Sequence, residues 1–164
     1  MKTLLIVRHA KSSWDHADLD DFDRPLNERG LRNAPEMARR LVLREMLPDL
    51  ILSSPALRAI STARLFNQQF GRMDEGLKTE KSIYEASRQD LVKLISRQNP
   101  DLNIIMLVGH NPGLSDLLNW LCDTEEVLST CAVAQIEVDD FKWNGWSKGC
   151  GKLVELDYPK KPIE

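Results

Sequence analysis

Thr3-Leu4-Leu5-Ile6-Val7 runs straight into Arg8-His9. The five residues are apolar and partly β-branched, without the alternation of a half-wet strand. Such a run reads as a strand buried on both faces, the kind found in parallel sheets. It is too short for the apolar segment of a leader, is cut by Arg8, and is followed by no small-residue cleavage site. Leu50-Ile51-Leu52 and Ile104-Ile105-Met106-Leu107-Val108 read the same way, and Lys78–Lys81 predicts one further short strand. Between them lie apolar residues at helical spacing. Leu31, Ala34, Ala38 and Leu41 mark one helix, in which Pro35 should make a kink or begin the regular part. Ala59, Ala63, Phe66 and Phe70 mark a second, and Leu91, Leu94 and Ile95 a third. Leu114, Leu117, Leu118 and Leu121 mark a fourth, entered through Pro112 at the first helical position.

Strands alternating with helices predict a three-layer α/β/α sandwich around a mostly parallel sheet. The chain changes character near its end. Ala132–Val138 and Lys152–Tyr158 predict two strands joined through Asn144-Gly145-Trp146 and Gly149-Cys150-Gly151, an antiparallel hairpin at one side of the sheet. Trp143 and Trp146 are expected to pack in that region; a docking surface is the alternative. Pro159–Pro162 reads as a solvated tail. With no repeat and no linker, residues 1–164 are expected to form one domain.

Composition narrows the function. The 164 residues are 42% hydrophobic and 29% charged, with a formal net charge of -3. The sequence pI near 5.7 argues against a basic field for nucleic acid. No stretch approaches the ~20 apolar residues of a membrane span. Cys122, Cys131 and Cys150 are odd in number and match no metal spacing, which predicts reduced thiols and a cytoplasmic setting. A monomer is expected.

In open α/β sheets, ligands bind beyond the carboxyl ends of the strands. Three polar clusters fall at such ends: Arg8-His9, Ser53–Arg58 and Gly109-His110-Asn111. Two arginines and two histidines would then meet in one crevice. A neutral imidazole is a nucleophile able to carry a phosphoryl group. Arginine's planar fork matches phosphate and stays charged, and fixed donors stabilise the charge on a phosphoryl group in flight. No metal or other cofactor is called for, since the arginines supply the positive charge, and no clustered ligand set stands at metal spacing.

Four segments carry a family resemblance. Leu5–Asp15 resembles the Arg-His-Gly signature of the histidine phosphatase (phosphoglycerate mutase-like) superfamily. Leu26-Asn27-Glu28-Arg29-Gly30 resembles its Leu-Thr-x-x-Gly segment. Ser53–Ala63 resembles its Ser-Ser-x-x-x-Arg-Ala-x-x-Thr-Ala segment, and Val108-Gly109-His110 its second-histidine segment. Each is weak alone; together they stand in family order. Small size, Arg24-Pro25-Leu26 and the short interval from Arg58 to His110 bring the chain nearest the SixA-type phosphohistidine phosphatases, with a minimal cap. The resemblance implies that His9 is the phosphorylated nucleophile and that Arg8, Arg58 and His110 bind phosphate. Arg24 aligns with an arginine often found near the pocket; a structural ion pair is its other reading. Ser12 is expected either to contact phosphate or to cap a turn. Ala10 stands where many members carry glycine, and Asp15 where mutases carry asparagine. For the proton donor, Glu85 leads and Asp21 is the rival; a phosphohistidine substrate relaxes the need for either. The acidic run from Asp18 to Asp23 is expected to rim the pocket and His16 to be exposed.

These readings predict a phosphatase acting on a phosphorylated protein, most simply phosphohistidine, through phospho-His9, with a place in signal transduction. A phosphatase or mutase for small phosphate esters is the alternative, and a phosphoprotein-binding module without turnover is the second.

Overall fold

The computed structural model describes residues 1–162. Six strands form one sheet: β1 (Lys2–Arg8), β2 (Leu50–Ser53), β3 (Leu77–Thr79), β4 (Ile104–Gly109), β5 (Val133–Val138) and β6 (Gly151–Asp157). Their order is β3-β2-β4-β1-β5-β6. β1, β2, β3 and β4 run parallel, and β5 lies antiparallel between β1 and β6. The predicted α/β architecture and the C-terminal antiparallel pair are both present.

Strand pleating divides the core. Leu4 and Ile6 face one apolar layer, Leu5 and Val7 the other, because successive side chains point to opposite faces. α1 (Glu28–Leu43) and α2 (Leu57–Gln69) cover the Leu5 face. α3 (Arg88–Ser96) and α4 (Gly113–Cys122) cover the Leu4 face. The predicted faces of α3 and α4 are buried as expected. α3 starts on a capping box in which Ser87 and Asp90 satisfy each other's backbone N–H groups.

Three expectations are corrected. Leu31 is 52% exposed, and Met37 joins Ala34, Ala38 and Leu41 in the core. The helix is turned so that Gly30, not Leu31, faces inward, where it meets the Lys11 backbone. α1 runs from Glu28 to Leu43 through Pro35, so Pro35 does not mark where its regular part begins. The tail is not simply solvated: Arg40 donates to the Tyr158 and Pro159 carbonyls, and Lys161 to Glu155 and the Leu156 carbonyl. Trp143 and Trp146 are buried against each other, with Trp143 Nε1 donating to the Leu102 carbonyl, so they pack and present no docking surface. Cys131 is buried, and burial raises its thiol to about 12.

Candidate active site

Parallel β1, β2 and β4 end on the same edge of the sheet, and the site forms there. The His9 N–H donates to the Gly109 carbonyl (3.0 Å), which extends the β1–β4 pairing by one residue. The Cys131 N–H donates to the carbonyls of Arg8 and His9 from the other side. The His9 backbone is therefore fixed by both neighbouring segments. Thr62 adds a third tie: its Oγ1 accepts from the Ala10 N–H (3.0 Å) and donates to the Arg58 carbonyl (2.7 Å). One buried hydroxyl thus couples the loop after His9 to the helix that carries Arg58.

The predicted basic set converges. Arg8, His9, Arg58 and His110 line one cavity of about 220 Å³, with Ser12 and Arg24 also in its wall. The His9 and His110 rings lie 5.2 Å apart. His9 Nδ1 faces the Ala10 carbonyl at 2.7 Å. A carbonyl only accepts, so Nδ1 carries the proton and Nε2 keeps its lone pair. Burial pushes His9 down to about 3; the Ala10 hydrogen bond opposes this, and the neighbouring His110, Arg58 and Arg8 assist it. Burial and the Arg58 charge likewise push His110 down to about 4. Both rings are neutral at pH 7. His110 Nε2 meets Ser54 Oγ at 2.8 Å. Arg8 Nη1 donates to the Leu128 carbonyl (2.9 Å). Arg8 Nε and His110 Nδ1 are buried without a hydrogen-bond partner among the described residues. Buried polar atoms without a partner are costly.

Asp21 is fully engaged. Its Oδ1 accepts from Arg24 Nη1 (2.9 Å), and its Oδ2 from Arg58 Nη2 (2.9 Å) and the Tyr84 hydroxyl (2.8 Å). Arg58 Nη1 also donates to the Asp21 carbonyl (2.6 Å). Burial pulls the Asp21 carboxyl upward, but the hydrogen bonds from Tyr84 and Arg58 outweigh it and hold it at about 2. It is a carboxylate at any working pH, and the geometry makes it a clamp on Arg58. Arg24 joins both of its readings: it pairs with Asp21 and lines the cavity, while Nε donates to the Ser13 carbonyl and Nη2 to Ser12 Oγ. Ser12 therefore faces Arg24 from the same wall.

Glu85 lies elsewhere. It is exposed and borders a second cavity of about 510 Å³, which shares Arg58 and His110 with the first and also includes Asp21, Tyr84 and Asp116. Between Arg58 and His110 the chain holds the rest of α2, then β3, a 3-10 turn, α3 and the sheet strand β4, with no further helix inserted. The sequence reading did not single out Tyr84, whose ring stands edge-on to both His110 (5.6 Å) and Phe22 (5.2 Å). No local pattern marks it, since its partners are remote in the chain. Ser54 and Thr62 lie within Ser53–Ala63, where no local pattern marks the remote contacts they make. Among the described residues no group of three or more His, Cys, Asp or Glu stands where it would hold a metal ion, and no helix is long and apolar enough to cross a membrane.

Two arginines and two histidines around one small cavity at a parallel-sheet edge are a donor set whose chemistry suits a phosphoryl group. The family model of the histidine phosphatase superfamily, branch 1, matches residues 4–98, and the chain belongs to that superfamily. Membership supports a phosphatase, a hydrolase. An uncharacterised chloroplastic protein of Arabidopsis thaliana is 34% identical over 150 residues, covering 87% of this chain and 69% of that one. A candidate phosphohistidine phosphatase SixA from Agrobacterium tumefaciens has a similar structure, with TM-score 0.80 and 27% identity over 96% of this chain and 98% of that one. The protein histidine phosphatase SixA in complex with tungstate shares the fold at TM-score 0.81, with 22% identity over 96% and 97% of the two chains. Within the superfamily the likeness is to the SixA-type branch.

Proposed function

We propose that the protein hydrolyses a phosphoryl group from phosphohistidine on a protein, through a covalent phospho-His9 intermediate. The observation that carries this reading is the neutral His9 ring, proton on Nδ1, set among Arg8, Arg58 and His110. In the first step the Nε2 lone pair attacks phosphorus. The P–Nε2 bond forms as the bond to the leaving imidazole breaks, and Arg8, Arg58 and His110 hold the equatorial oxygens. In the second step water attacks phospho-His9, the P–Nε2 bond breaks, and phosphate leaves with the neutral ring restored. The arginines supply the positive charge that the transition state needs.

The leaving group decides how much acid is needed. An imidazole protonated by solvent departs without help, whereas an alkoxide needs a donor. Asp21 is ionised and cannot give a proton, so Glu85 is left for that role, from the adjoining cavity. That cavity favours one second reading, a phosphatase for small phosphate esters with Glu85 as the acid.

Incubation with a histidine-phosphorylated protein is expected to release phosphate, and His9→Ala to abolish release. Equal release by His9→Ala would end this mechanism. Acid-labile label on His9, trapped by mass spectrometry, is the expected intermediate; its absence with every donor would favour a binding module. Turnover of sugar phosphates above phosphohistidine, lost in Glu85→Gln, would favour the ester reading.

A further inference from the structure

Trp14 stands apart from the chain's other tryptophans. Trp143 and Trp146 are buried and Trp120 is half-buried, but Trp14 is 73% exposed. It sits at the mouth of the cavity that holds His9. It is also held in place. The Arg24 guanidinium carbon lies 3.5 Å from the ring centroid, a cation–π stack. Arg24 is itself buried and fixed by Ser12, Ser13 and Asp21. One face of the indole is thus backed by a rigid, charged platform and the other is open to solvent. A large aromatic ring positioned in this way loses little freedom when something covers it, and tryptophan is the side chain most enriched at binding hot spots.

The chain that follows has a distinct charge. Asp15, Asp18, Asp20 and Asp23 are exposed and have no ion-pair partner among the described residues. Within the same stretch Leu19 and Phe22 keep more than a third of their surface exposed. An acidic rim disfavours a small free polyanion beyond the one phosphoryl group that the arginines hold. It attracts a ligand that is cationic around its phosphoryl group.

Resting on the phosphatase reading above, we infer that Trp14 and the loop Asp15–Asp23 form the docking surface for a basic polypeptide segment bearing the phosphorylated side chain. Trp14 covers an apolar group beside that side chain, and the aspartates meet flanking lysines or arginines. Trp14 is in this account a specificity-determining residue, with no part in the bond changes at phosphorus.

The test uses three probes: phosphoimidazole, a phosphohistidine peptide flanked by Lys, Arg and Leu, and the same peptide flanked by Glu. Wild type is expected to favour the basic peptide. Trp14→Ala should lower its kcat/KM roughly 10- to 100-fold, the loss of an aromatic anchor, chiefly through KM. Phosphoimidazole turnover should change by less than about threefold. Trp14→Phe should recover most of the loss. Asp18→Lys with Asp20→Lys should erase the preference for the basic peptide at low salt. Equal loss on all three probes would make Trp14 a mere prop for Arg24 and overturn the inference, as would no loss on any. Binding to His9→Ala, read by titration calorimetry, separates the two levels. If wild type hydrolyses none of the probes, the phosphatase reading fails. The docking inference then stands or falls on whether Trp14→Ala weakens the basic peptide's binding to His9→Ala.

Discussion

At His9 and His110 an imidazole with an ordinary pKa of 6.5 is pushed down to about 3 and about 4 in the folded protein. The unfolded chain keeps the ordinary value, so between about pH 4 and 6.5 it binds protons that the folded chain refuses. Stability rises with pH wherever the unfolded state binds more protons. The two rings therefore contribute fully above pH 6.5, and their contribution falls away as the pH drops toward 4 and 3. Urea midpoints should decline from pH 7.5 to pH 4.5, and His110→Asn should flatten that decline; an unchanged slope in the variant would refute the assignment. Asp21 acts lower down. Its depressed pKa of about 2 adds a loss only as the pH falls below the ordinary carboxylate range. Thr62 is the other residue whose chemistry is exact. Its hydroxyl is buried and bonded at both ends. Thr62→Val keeps the shape but leaves the Ala10 N–H unsatisfied, so it should cost about 1–3 kcal/mol. It should also lower kcat, because the His9 loop loses its tie to α2; paired denaturation and turnover measurements check both.

α1 shows how an element far from the chemistry sets its geometry. Asn27 caps the helix by accepting from the Gly30 N–H, and the Asn27 N–H donates to the Lys11 carbonyl. The first turn is thereby drawn against the loop that follows His9. A Cβ at Gly30 would stand 2.3 Å from the Lys11 carbonyl oxygen, closer than any real contact, and the clash is with backbone. Gly30→Ala must push the helix and the Ala10–Ser12 loop apart. Overpacking of this kind costs about 1–3 kcal/mol, and turnover should fall with it, since Ser12 and Arg24 move with the loop. A variant with wild-type midpoint and wild-type kcat would contradict the account. The glycine in the Asn27–Gly30 segment is thus a packing requirement of the active-site loop and not a turn residue.

At the scale of the whole molecule, the C-terminal segment closes against α1. Asp157, buried at the end of β6, receives Arg40 Nη1 at 2.9 Å, and Arg44 Nη1 lies at 3.5 Å. Asp157→Ala would remove the carboxylate that faces two guanidinium groups, leaving Arg40 its Tyr158 and Pro159 carbonyls, and should cost up to about 3 kcal/mol, toward the lower end for a broken buried pair. Turnover should persist in the folded fraction, because neither Asp157 nor Arg40 lines the His9 cavity; guanidinium unfolding and a kcat assay would test the separation. The alternation of short apolar runs with helical periods was enough to read the layered sheet, its parallel strands and the terminal hairpin, because burial on one or two faces leaves a period in the chain. The four basic residues were legible for a related reason: each ends a strand, directly follows one, or stands in the first turn of the helix after one, on an edge that parallel topology makes common. What only the tertiary structure decided are relations between segments distant in sequence. The Asp21 clamp on Arg58, the Tyr84 ring between Phe22 and His110, the inward turn of Gly30 in place of Leu31, and the neutrality of His9 all arise from packing and desolvation, which no local pattern records.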